Sequence, residues 1–164
     1  KTTKLGVWLT PDQKNPGGYN PINNVISFRR EDDICYNVLL EELFHVYQNE
    51  VEGLEKFTKG EEPIKGRSNM EFEAKLYADI TNLVNQKLLL DELEVTFQYM
   101  GSNGRRYASW LKELTNDFTR YPSWQEMKRD YFDRMQEFIQ EKSSYAFPVD
   151  KQLQPKTLLK VLEE

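Results

Sequence analysis

"NVLLEELFHVYQNE", residues Asn37 to Glu50, is the stretch on which the reading of this chain turns. Leu40, Phe44, Tyr47, Val51 and Leu54 recur at i, i+4, i+7, i+11 and i+14, with Leu39, Leu43 and Val46 on the adjacent face. That spacing predicts a helix buried over much of its circumference. Set into the apolar run are Glu41 and His45, four residues apart and so on one face, one turn from each other. Gln48 and Glu52 continue their stripe. Burying a carboxylate or an imidazole without a partner costs several kcal/mol, so each needs one. A divalent cation would serve both.

The rest of the composition bounds what such a helix belongs to. At 164 residues the chain is expected to form a single domain, with a core over 1–90 and a helical extension over 91–164. Its 22 basic and 27 acidic residues are interspersed, for a net charge of -5, which gives no basic footprint for nucleic acid or an anionic membrane. An aromatic content of 13% and a hydrophobic content of 38% separate it from disordered chains. Cys35 is the sole cysteine, which excludes an internal disulfide and a CxxC site; lying in an apolar run, it reads as a packing residue. No apolar run approaches the roughly 18 residues of a membrane span. No cleavable signal is visible, and because the chain opens on Lys1 a leader upstream stays open. The expectation is a soluble protein, cytoplasmic or exported.

Along the chain, "KLGVWLT" and "NNVISF" read as strands joined by the long loop "PDQKNPGGYNP", whose prolines and glycines argue against a regular element. The loop either shapes a cleft or is a surface connection. Asp32 and Asp33 suit the N-terminus of the first helix, predicted within "RREDDICYNVLLEELFHVYQNEVEGLEKF". A second helix starts near Ser68 or Asn69, with Glu71 in a capping arrangement, and runs through "MEFEAKLYADITNLVNQKLLLDEL". "YMGSNGRR" reads as a turn, "YASWLKELTNDF" and "SWQEMKRDYFDRMQEFIQEK" as amphipathic helices, "SSYAFPVDKQLQP" as loop and "KTLLKVLEE" as a short final helix. In "SWQEMKRDYFDRMQEFIQEK", Ser123 caps with Glu126 reciprocating, and Trp124, Met127, Tyr131, Met135 and Phe138 form the apolar face. The fold class is therefore α+β, mainly helical, with a small N-terminal sheet.

In a metal-binding HExxH helix the first and fifth residues hold zinc and the second, a glutamate, is the general base. "EELFH" places Glu41 first, Glu42 second and His45 fifth. Some 28 residues on, "NMEFEAKLYAD" supplies Glu73 followed by the small Ala74, in an ExEAxxxA pattern filled by Glu71, Glu73, Ala74 and Ala78. Together these resemble the zincin-like, gluzincin-type metallopeptidases over about residues 5–90. The resemblance implies a zincin-like domain with Glu42 as catalytic base and Glu41, His45 and Glu73 as metal ligands. It places Glu71 on the rim and Asp79 in an orienting position behind the ligands. It further implies an open edge strand at 24–28, ahead of the motif helix, that pairs with a peptide or protein substrate. Tyr47 or Tyr77 could assist an oxyanion, although a core or rim tyrosine accounts for either.

His45 is the only histidine, so two imidazole ligands cannot come from one chain. A glutamate in place of the first makes a harder site, turning the expected cofactor from zinc alone to one divalent ion, zinc or manganese or iron. Three readings stand: a metal-dependent peptidase or hydrolase, an inactive zincin-like scaffold binding a peptide or protein in the former cleft, and an ordinary buried helix whose His45 is hydrogen-bonded by nearby carboxylates. In the scaffold reading Trp110, Trp124 and Tyr131 offer an interface, but their helical spacing equally suits a core. A di-iron bundle wants two ExxH pairs and finds one. Cys35 and His45 lie about 15 Å apart along one helix, too far to act as a nucleophile pair. No Walker loop, GxGxxG or GxSxG occurs.

Overall fold

A computed structural model describes residues 4–57, 64–85, 103–141 and 146–162. The chain is α+β and mainly helical, with its sheet at the N-terminus. Backbone contacts group it into two compact units, Lys1–Lys59 and Gly60–Glu164.

The first unit holds three strands, β1 (Gly6–Leu9), β2 (Gly17–Asn20) and β3 (Val25–Phe28), in the order β1-β3-β2. β3 runs parallel to β1 and antiparallel to β2. Two expectations change here. The "PDQKNPGGYNP" loop contains a strand, because Gly17 to Asn20 pair residue by residue with β3 despite their weak β-propensity. And residues 24–28 are not an edge strand: β3 is central, which fits the burial of Val25 on one face and of Ile26 and Phe28 on the other. The crossing between β1 and β2 is pinned by Gln13. Its Nε2 donates to Asn15 O at 2.9 Å and Ser27 O at 3.2 Å, and its Oε1 accepts from Ser27 Oγ at 2.7 Å.

Helix α1 spans Tyr36–Glu52, later and shorter than the pattern suggests. Asp33 is drawn into a 3-10 turn over Glu31–Asp33, where Arg29 and Arg30 hold it; the Arg29 hydrogen bond keeps its carboxyl below the usual range. Ile34 and Cys35 are non-helical, so the helix cannot begin before Tyr36. Gly53, at φ 71, closes it in the left-handed conformation that glycine tolerates, leaving Leu54 in a second 3-10 turn, Leu54–Phe57. Cys35, expected to pack, is exposed at the N-cap.

The second unit contains α2 (Arg67–Asn85), α3 (Gly104–Leu114), α4 (Trp124–Met127), α5 (Tyr131–Glu141) and α6 (Lys156–Leu162). Phe72, Leu76, Ile80 and Leu83 of α2 are fully buried, and Phe72 packs on α5 with ring centroids 5.3 Å from Tyr131 and 5.7 Å from Phe138. Tyr107, Trp110, Leu111 and Leu114 form the buried stripe of α3. Ser68 and Asn69 do not cap α2. Each grips the segment before α6 instead: Ser68 Oγ bonds the carbonyl and N–H of Phe147 at 2.9 and 3.1 Å, and the Asn69 amide does the same to Asp150 at 2.9 and 3.0 Å.

Helix α3 already includes Gly104 to Arg106, read as turn, and stops at Leu114, before the expected end. Asn116, Asp117 and Phe118 then take positive φ in succession (48, 59 and 64), ending any right-handed helix there. The long helix expected from Ser123 onward is broken into α4 and α5 by a turn between Met127 and Tyr131. Its capping residues act as read, with Glu126 Oε2 accepting from both N and Oγ of Ser123 at 2.8 Å. Met127, Tyr131, Met135, Phe138 and Trp110 are buried, and Trp124 is half-buried. The expected helix over residues 86–93 and the first half of the "YMGSNGRR" turn lie outside the described residues. Among the described residues no helix is long and apolar enough to cross a membrane.

Candidate functional site

The apolar seam of α1 is not its most buried face. Glu42, Phe44, His45 and Gln48 are the buried residues of the helix, with His45 at 9% exposure, Glu42 at 6% and Gln48 at 0%. Leu43, by contrast, is 42% exposed. A helix that turns an acid, an imidazole and an amide inward while a leucine faces solvent violates the usual partition.

His45 Nδ1 lies 2.7 Å from Gln48 Oε1, a buried contact across i and i+3. Glu41, half-buried, stands one turn before His45 on the same stripe. Glu42 lies under β2. A Cβ added to Gly17 would stand 2.5 Å from Val38 Cγ1, 3.2 Å from Glu42 Oε1 and 3.3 Å from its Cγ. Gly17 is therefore required where it is, because the α1 side chains occupy the space a side chain would take. β2 is an end strand of the sheet, so the carboxylate sits beside a sheet edge with no strand beyond it among the described residues.

The far end of α1 is fastened to the same strand. Asn49 Nδ2 donates to the Tyr19 hydroxyl at 3.1 Å, that hydroxyl donates to Asn24 Oδ1 at 2.8 Å, and Asn49 Oδ1 accepts from Leu54 N at 2.8 Å. Burial raises the Tyr19 phenol above its ordinary range, so it stays a neutral donor at physiological pH.

In the helical unit the sequence-selected acids separate by role. Glu73 is fully buried, and its Oε1 accepts the Leu158 N–H at 2.7 Å, placing a carboxylate at the first turn of α6. A helix N-terminus stabilises such a charge, and this gives the residue a structural employment. Glu71, two residues earlier, is about 200° away around the helix and half-buried. Asp79 is buried and accepts a 2.6 Å hydrogen bond from the Tyr107 hydroxyl of α3. Burial first, and the Asp79 charge second, push Tyr107 well above the usual tyrosine range. Tyr47 and Tyr77 are half-buried.

These donor types are ones a divalent cation takes: an imidazole whose Nδ1 is engaged by an amide, and a carboxylate one turn away on the same stripe. Sequence reasoning assigned no role to Gln48, Gly17 or Tyr107. The i, i+3 spacing of His45 and Gln48 was the one available signal. No family model matches the sequence, and neither curated proteins nor solved structures match it.

Proposed function

We propose that this chain is a metal-dependent peptidase or hydrolase of atypical ligand set, in which Glu41 and His45 of α1 hold one divalent ion and Glu42 is the general base. The inward polar face of α1 carries this reading: Glu42, His45 and Gln48 are buried on a helix that has leucines to bury instead. Glu73, which the resemblance suggested as a third ligand, is instead held at the start of α6. A carboxylate beside a single imidazole is a harder pair than two imidazoles, suited to manganese or iron as well as zinc. A bound ion would supply Lewis acidity toward a carbonyl.

The chain's own groups supply the rest. Glu42 is poised to take a proton from an attacking water and hand it to the leaving amine, as a buried carboxylate beside the reacting centre can. The outer edge of β2 offers its backbone to an extended peptide, and it is the strand that adjoins Glu42, which supports β2 as the substrate strand in place of residues 24–28.

The test is metal analysis of protein purified without chelator, then peptide cleavage with zinc, manganese, iron and cobalt. Glu42→Gln should keep stoichiometric metal and lose cleavage. Glu41→Gln should lose metal, whereas Glu73→Gln should keep it and lower stability. Metal without cleavage would favour a scaffold that binds peptides; no metal under any condition would overturn the assignment.

A further inference from the structure

We propose that Gln48 is a positioning residue that holds His45 in the tautomer protonated on Nδ1, so that Nε2 presents its lone pair; its use in metal binding rests on the function proposed above. An amide oxygen only accepts, and Gln48 Oε1 is 2.7 Å from Nδ1, so the proton of that hydrogen bond belongs to the ring. Gln48 is wholly buried and His45 nearly so, which keeps water from competing for the contact.

The choice of glutamine has an electrostatic consequence. In water a neutral imidazole favours the proton on Nε2, the arrangement that cannot ligate through that atom. Something must therefore reverse the intrinsic preference. Ligating histidines are commonly held by a carboxylate or a carbonyl on their other nitrogen. Here the acceptor is neutral, and it comes from the same helix. A carboxylate at position 48 would add another negative charge beside Glu41 and Glu42 on a buried face, whereas the amide orients the ring at no cost in charge. The i, i+3 spacing also makes the device local: folding of α1 alone brings the two side chains together.

His45 is the only histidine, so a long-range proton–nitrogen correlation spectrum contains one ring and needs no assignment. Recorded on metal-free protein at mildly alkaline pH, wild type should show the Nδ1-protonated pattern. Gln48→Leu, shown folded by circular dichroism, should shift toward the Nε2-protonated pattern, and Gln48→Glu should retain the wild-type pattern. Zinc titrations should show Gln48→Leu weakened about 10- to 100-fold. An Nε2-protonated wild type would overturn the proposal, as would a Gln48→Leu protein with unchanged spectrum and affinity. If Gln48→Leu does not fold, the wild-type and Gln48→Glu spectra still decide. A wild-type ring protonated on Nδ1 in a protein that takes up no metal would sustain the tautomer assignment while removing the metal-site reading.

Discussion

Replacing Gly17 by alanine tests the contact on which the arrangement of β2 and α1 depends. No left-handed φ is involved at this position, so the entire effect comes from the added methyl group. That carbon would lie 2.5 Å from Val38 Cγ1, about 1 Å inside the normal separation of 3.5–4.0 Å. Val38 is on a helix, where its β-branched side chain has little rotameric freedom, so β2 must move or Val38 must strain. Overpacking of this kind costs about 1–3 kcal/mol. Val38→Ala alone removes two half-buried methyl carbons, worth about 1 kcal/mol. In the double variant the Val38 clash is gone and only the 3.2 and 3.3 Å approaches to the flexible Glu42 side chain remain, so its stability should fall within about 1 kcal/mol of Val38→Ala, a coupling of about 1–2 kcal/mol. Denaturant unfolding followed by far-UV circular dichroism measures all four proteins, read as shifts of midpoint at constant slope. A Gly17→Ala protein as stable as wild type, or an equal penalty in the Val38→Ala background, would show that β2 does not press on α1 as described.

Asn49→Ala removes the acceptor for Leu54 N and the donor to Tyr19, and should lower stability by about 2 kcal/mol at about 1 kcal/mol per hydrogen bond, measured by the same unfolding titration. Tyr107→Phe deletes the 2.6 Å bond to Asp79 and should cost about 1.5–3 kcal/mol, since the acceptor is a buried carboxylate. Because the folded Tyr107 phenol titrates well above 10.0, its contribution is complete below that value and declines at higher pH, as the unfolded phenol ionises first. The alkaline fall in midpoint should therefore be shallower in Tyr107→Phe than in wild type. Glu126 behaves oppositely: hydrogen bonds from Arg120 and then Ser123 lower it from 4.5 to about 2, so its contribution is present above 4.5 and fades as pH falls toward 2. Carboxyl chemical shifts followed through an acid titration check this, and Glu126→Gln should flatten that limb slightly, exposure to solvent keeping the effect small.

The helices were legible because periodicity reports burial on one face, and α2, α3, α5 and α6 each bury such a face or part of one. β2 was hidden because "GGYN" has no strand signature; its glycine is chosen for the helix beneath it and its pairing is set by β3. Strand order was hidden for a related reason, since a central and an edge strand of four residues carry similar side chains. The turn at Thr115–Phe118, where the expected helix should have continued, and the break after Met127 contain neither proline nor glycine and arise from backbone turns that tertiary packing selects. At the candidate site, the stripe of Glu41, Glu42 and His45 could be read from spacing. What spacing could not reveal was that polar residues, not Leu43, face inward, or which α2 glutamate is engaged by α6.

The exposed sulfhydryl at the head of α1 is a practical asset. Being the sole thiol, Cys35 accepts one fluorophore at one address, the N-cap of the helix that carries the imidazole, about 15 Å from it along the axis. If His45 takes a metal as proposed, a dye there would dim on addition of cobalt(II) or copper(II), turning occupancy into an optical signal from unmutated protein.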